Sequence, residues 1–200
     1  MELLESIKNR RSIKKYLDLE VPIEKIGMVI DAGASAPSSG NIQNWRFVIV
    51  KDKESRKRLA DTALQQYWIE TAPVCIVVCA VIDTAKQFYG IRGEKLYSIQ
   101  NCAAAIQNML LMATALDLGS LWRTVFSRQA DALGKLLDLP EFIRVMSVIE
   151  VGYLVNKNRA PPKRKVEEFS HRDGYDKGRI IEAKEAWLKR AIHSPRQSKR

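Results

Sequence analysis

Strand-like and helical stretches alternate along this 200-residue chain, an order that predicts a layered domain of the α/β or α+β class. Two stretches carry the prediction. "VCIVVCAVI" (74–82) is an unbroken, β-branched run of the kind expected of a strand covered on both faces, and so of a central one. Residues 95–116 repeat apolar side chains at helical spacing, and a hydrophobic content of 46% supplies one substantial core rather than two.

The elements follow in chain order. "ELLESIKN" reads as a helix with Leu3, Leu4 and Ile7 on one face, and "PIEKIGMVIDAGASA" as a second, opened by Pro22 and carried by Ile23, Ile26, Val29 and Ile30. "WRFVIV" is a strand and "KESRKRLADTAL" a helix, and the central strand comes next. In 95–116, Leu96, Ile99, Ala103, Ile106, Leu110 and Ala113 form a seam, while Tyr97, Cys102, Ala104, Met109 and Met112 make the other faces apolar as well. A helix of that kind is central to its own core or meets a second subunit, and periodicity does not choose. "DLGSLW" turns at Gly119 into a short strand, "SRQADALGKLLDLP" is a helix stopped by Pro140, and "IRVMSVIEVGYL" is the last core strand. After Tyr153 the chain becomes polar, basic and proline-bearing, an extended arm, and "RIIEAKEAWLKRAI" closes it as an amphipathic helix.

Composition removes several classes of function. No apolar run approaches the ~18 residues of a membrane span, and the start lacks the basic-then-apolar order of a signal peptide; the expectation is a cytoplasmic protein. Cys75, Cys79 and Cys102 sit in apolar surroundings far from His171 and His193, without the spacing of a zinc site, and read as reduced core residues. No metal site is expected. Cys75 and Cys79 fall on one strand face, too far apart for a disulfide. The net charge of +10 is uneven: residues 156–200 carry 14 Lys and Arg against 6 Asp and Glu, a net +8. Such a tail suits an anionic partner, yet the chain has neither zinc-finger spacing nor an aromatic RNA-binding signature, so a solvated tail is the preferred reading.

Three polar clusters carry chemistry. "RRSIKKYL" (10–17) offers guanidinium forks, a hydroxyl and ammonium groups at a helix-to-loop boundary, equipment for a phosphate or another anion, although such clusters are more often solvated surface. "ASAPSSGNIQNW" (34–45) is a polar loop whose Ser38, Ser39, Asn41, Gln43 and Asn44 suit the edge of a planar heterocycle, or simply end a helix. "PPKRK" (161–165) supplies a second basic group. "GIRGEK" lacks the Lys and hydroxyl pair of a P-loop, and no Rossmann fingerprint is present. Tyr67, Trp68 and Phe88 read as core aromatics or as a substrate lid.

In this order, "NRRSIKKYL", "AGASAPSSGNIQNWRFVIV", "APVCIVVCA", "YSIQNCAAAIQNMLLMATALDLGSLW" and "VGYL…PPKRKVEE" resemble the nitroreductase family of flavin enzymes, from about Leu3 to Phe169. The resemblance implies an α+β fold with a central, mostly antiparallel sheet flanked by helices, in an intertwined homodimer with a non-covalent FMN at each of two sites between subunits. It divides the chain into a flavin-binding domain, 1–178, and a basic helical extension, 179–200. By position, Arg10, Arg11 and Ser12 look like the start of the phosphate site. Lys14 would reach the ring or ribityl region and stabilise negative charge, and Lys163 and Lys165 would complete the phosphate grip, with Arg164 able to take either role. Pro37, Ser38, Ser39 and Asn41 would line the isoalloxazine of the other subunit, and Trp122, Arg123 and Thr124 resemble the strand end whose backbone lies near the flavin's reactive edge. Val125 departs from the small residue common after that strand, and either narrows the opening over the ring or points into the core.

The implied activity is ping-pong transfer of hydride from NADH or NADPH through flavin N5 to an electron-poor acceptor such as a nitroaromatic or a quinone. No side chain is assigned as general acid. The alternative is a flavin- or anion-binding protein without turnover, or a module whose basic tail binds nucleic acid or a partner.

Overall fold

The computed structural model describes residues 2–64, 70–156 and 160–176, together with Gly178 and Glu185. Two compact units divide the chain, Met1–Arg159 and Ala160–Arg200. Tyr67, Trp68 and nearly all of the closing helix lie outside the described residues.

The first unit is built on a four-stranded sheet of β1 (Trp45–Val50), β2 (Val74–Val81), β3 (Gly119–Thr124) and β4 (Ile143–Gly152), in the order β1-β2-β4-β3 with every neighbouring pair antiparallel. All eight residues of β2 are buried, as its unbroken apolar run requires. Val74, Ile76, Val78 and Ala80 face a core closed by α2 (Ile23–Ala34) and α5 (Ser98–Ala115). Cys75, Val77 and Cys79 face the opposite core, with Leu59 of α3 (Lys53–Leu59) and Ala130 and Leu133 of α6 (Ser127–Leu136). The three cysteines are buried and unpaired, and burial pushes their thiols up to about 12.

Two features of the sheet shape its edge. Val78 pairs with Ser147 but Cys79 with Val145, so Met146 is the extra residue of a β-bulge in β4. Residues 12–17 run along the other side of β3 and over the end of β4: Ser12 bridges Ser120 in parallel, Ile13 N–H donates to the Ser120 carbonyl (3.0 Å), and Leu17 N–H donates to the Tyr153 carbonyl (2.8 Å). The basic "RRSIKKYL" segment is thereby pinned against the edge strand.

Several expectations change in detail. In α1 (Leu3–Asn9) the buried residue is Ser6, while Leu3, Leu4 and Ile7 are exposed, because no element of the described chain covers that face. Ile23 of α2 is exposed too, and Ile26 and Val29 carry the packing, at ~1.5–3 kcal/mol for each buried side chain. The 95–116 helix is α-helical only from Ser98, after a π turn over Gly93–Tyr97, and Leu96 and Ile99 of its expected seam lie at the surface. Its buried face includes the polar Ser98 and Asn101, which hydrophobic periodicity alone does not find.

The chain leaves α5 at Asp117 (φ +59°), not at Gly119, whose missing side chain is instead required by the close approach of Ile13. The following helix ends at Leu136 with Asp138 left-handed, two residues before Pro140. Phe88, on α4 (Ile82–Arg92), is exposed rather than packed in the core. No helix of the described residues is long and apolar enough to cross a membrane.

Candidate functional site

Segment 10–14 begins where α1 ends. Arg10 caps the helix, its N–H donating to the Ser6 carbonyl, and Arg11 folds back so that one terminal nitrogen donates to the carbonyls of Lys8 (2.6 Å) and Arg10 (2.7 Å). A guanidinium there offsets the partial negative charge of the helix C-terminus. Its Nε is buried without a hydrogen-bond partner, and Arg11 lines a cavity of about 210 Å3 with Asn9, Ile13, Leu118 and Gly119. Arg10 and Lys14 have no side-chain hydrogen bond or ion pair among the described residues. Ser12, bridged to Ser120 by its backbone, lies exposed between them.

The strand end of β3 is two residues further along the same edge. Trp122 points to the α5 side of the sheet, where its indole N–H donates to Ser147 Oγ (2.7 Å), and it is 40% exposed. Trp122, Thr124 and Val125 line an open groove of about 560 Å3 with Ile99, Cys102 and Ser147. Arg123 takes the opposite direction: its Nε contacts Glu150 Oε1 at 2.5 Å, in a pair whose carboxylate is fully buried. What Arg123 presents along the groove is therefore its backbone. Burial pushes the Glu150 carboxyl up, against the opposing pull of Arg123. Tyr16, whose hydroxyl donates to the Ile13 carbonyl (2.8 Å), has its phenol pushed up by burial first and by the charge of Glu150 second.

Loop 35–44 forms the third part. Pro37 is exposed, and a 3-10 turn over Ser39–Asn41 follows Ser38. Ser38 Oγ accepts from Gln43 N–H (3.0 Å), and the Gln43 amide donates to Asn41 Oδ1 (2.9 Å). Gly40, Asn41 and Gln43 are all left-handed, and the Tyr89 hydroxyl fills the space a Gly40 side chain would need. Ser39 bonds to Asn101 of α5 through both its N–H (3.0 Å) and its hydroxyl (3.2 Å). Pro37, Ser38, Ser39 and Asn41 are not among the residues lining the groove of their own chain.

In the second unit, Lys163 and Lys165 are exposed, and Arg164 is committed to Glu168 (2.9 Å) and to the face of Phe169, 5.0 Å away. Of the three basic residues of "PPKRK", the two lysines have no ion pair among the described residues.

The description "Nitroreductase family" matches this chain over residues 7–71 and 62–153. The chain belongs to the nitroreductase family. An Archaeoglobus fulgidus nitroreductase relative, under the provisional name NADH dehydrogenase/NAD(P)H nitroreductase, is 38% identical over 154 residues, covering 76% of this chain and 85% of the relative. The FMN reductase [NAD(P)H] of Bacillus subtilis is 28% identical over 185 residues, covering 87% and 74%. The structure of an FMN-dependent nitroreductase from Clostridium difficile superposes with a TM-score of 0.74 at 27% identity, over 86% of this chain and 99% of that one.

Of the residues singled out from sequence, Trp122, Thr124 and Val125 line this groove, and the buried polar residues that pair with loop 35–44 and with Arg123 were missed. Asn101 and Ser98 sit among apolar residues of a buried helix, and Glu150 stands alone in "SVIEVG"; a polar side chain inside an apolar run was the available signal.

Proposed function

We propose that the chain is an FMN-dependent oxidoreductase that takes hydride from NADH or NADPH and reduces an electron-poor acceptor such as a nitroaromatic or a quinone by a ping-pong route, as a homodimer. The observation that carries this is the bridge of Ser12 to Ser120, which seats segment 10–14 on the edge strand whose far end, Trp122 and Thr124, lines an open groove. The donor set fits the cofactor. A phosphate dianion calls for a cation not already committed, and among the described residues Arg10 has no side-chain partner; a planar ring calls for an apolar wall, which Trp122, Val125 and Ile99 offer.

FMN, when bound, supplies a ring position that accepts hydride from the nicotinamide and returns it to the acceptor. Arg10, Arg11 and Ser12 would hold its phosphate, Arg11 contributing its Nε and backbone. Lys14 lies toward the ring and offsets negative charge there. The backbone of Trp122, Arg123 and Thr124 borders the reactive edge, and Val125 narrows the approach to it. Pro37, Ser38, Ser39 and Asn41 serve the flavin of the other subunit, consistent with their absence from the groove of their own. The uncovered Leu3, Leu4, Ile7 and Ile99 supply apolar surface for that subunit contact.

Steady-state rates measured against both substrates test the exchange of nicotinamide and acceptor in one pocket. Parallel double-reciprocal lines are expected as NADH or NADPH is varied at several concentrations of a nitroaromatic or quinone. Intersecting lines would require both substrates to be bound together and would overturn the ping-pong route.

A further inference from the structure

Asn101 lies 3% exposed on α5, beside Cys102, Ala105 and Ile106. An amide in such a place is tolerated only when its groups are paired, and its two ends are paired to different parts of the fold. Oδ1 accepts both bonds from Ser39, and the assignment of that oxygen is unambiguous because the Ser39 backbone N–H can only donate. Nδ2 donates to Asn44 Oδ1 (2.9 Å). From there a buried relay continues: Asn44 Nδ2 donates to Ser98 Oγ (3.0 Å) and the Val81 carbonyl (3.3 Å), and Ser98 Oγ donates to the Gly93 carbonyl (2.8 Å).

The loop at the outer end of this relay needs such an anchor. Two of its non-glycine residues, Asn41 and Gln43, hold left-handed backbone, a conformation that persists only where surrounding contacts over-determine it. Inside the loop the backbone closes through Asn41 N–H to the Ser38 carbonyl (2.9 Å) and Ile42 N–H to the Ser39 carbonyl (3.3 Å). Neither bond fixes the loop relative to the helix beneath it. Oδ1 of Asn101 does so, twice.

Granted the FMN site proposed above, we infer that Asn101 is a positioning residue for the flavin: its Oδ1 holds Ser39, and through it the 37–41 side chains, in the conformation that meets the ring of the other subunit. The donor end of the same amide serves the core. The two ends can be separated, because aspartate keeps the acceptor and lacks the donor.

FMN affinity and thermal stability of Asn101→Ala and Asn101→Asp, measured on the full chain, test this. Both substitutions lower Tm, since each leaves Asn44 Oδ1 without its donor. Asn101→Ala binds FMN roughly ten- to a hundred-fold more weakly than the native chain, and its bound-flavin visible band shifts, whereas Asn101→Asp stays within about threefold of native. Native-like FMN affinity in Asn101→Ala overturns the inference, as does a loss of affinity in both variants that follows their loss of Tm.

Hydrogen exchange on the FMN-free native chain gives a reading that does not depend on the variants folding. The Ser39 amide is expected to exchange slowly, and rapid exchange overturns the anchoring. A native chain that takes up no FMN would remove the cofactor assignment and this inference with it; a native chain that binds FMN beside an Asn101→Ala chain that binds it equally removes the inference alone.

Discussion

Arg123→Ala is expected to lower the free energy of unfolding by about 3–5 kcal/mol, measured by urea denaturation near neutral pH, because it strands Glu150 without its cation. Glu150 is fully buried and its partner is 11% exposed, so solvent screens the pair little. A surface ion pair would contribute only ~0–1 kcal/mol, and a loss of that size would contradict the structure. The pH dependence has a definite sign. Burial holds the Glu150 carboxyl above its ordinary value of 4.5, and removing Arg123 removes the pull that opposes burial. In the variant, the folded state then keeps a proton that the unfolded chain has released, so stability falls as pH rises above about 4.5. The deficit relative to the native chain is smallest below that pH and grows toward neutrality. Replacing both partners, Arg123→Leu with Glu150→Leu, recovers most of the loss, since two apolar side chains leave no charge to strand.

Arg10→Ala combined with Ser12→Ala is expected to weaken FMN binding by about 2–4 kcal/mol, the sum of one charged and one neutral hydrogen bond, or roughly thirty- to a thousand-fold in Kd. The fold itself changes little. Arg10 makes no side-chain hydrogen bond among the described residues, and its favourable place at the end of α1 contributes less than ~1 kcal/mol. Tm of the FMN-free chain is therefore expected to stay close to native while flavin content falls. Unchanged flavin occupancy would remove the phosphate assignment from this segment; lost flavin accompanied by a large drop in Tm would mean that the two residues support the fold instead.

The sheet was legible because its signal is local. An apolar run such as "VCIVVCAVI" needs cover on both faces wherever it lies, and β2, like β4, has neighbours on both sides and a core on each face. The place of the basic segment at a helix end was legible for a similar reason, and α1 ends at Asn9, just before it. The pairing of Arg123 with Glu150 was not, because it depends on the register of β3 against β4, which places residues 27 apart in sequence on one sheet face. Asn101 escaped notice because periodicity counts apolar positions, and a buried amide scores as a defect unless its partners are known. The long helix ends within a residue of where it was expected, but Asp117 rather than Gly119 takes the left-handed turn after it, and α6 ends at Leu136 with Asp138 left-handed, short of Pro140. Leu3, Leu4 and Ile7 share an apolar face, and no element of the described chain covers it.

The most direct measurement is a visible absorption spectrum of the purified protein supplied with FMN, followed by anaerobic titration with NADH and then with NADPH. The account predicts a protein-bound flavin band that bleaches stoichiometrically with at least one of the two nucleotides. A chain that stays colourless after reconstitution, or a bound flavin that neither nucleotide bleaches, would contradict it.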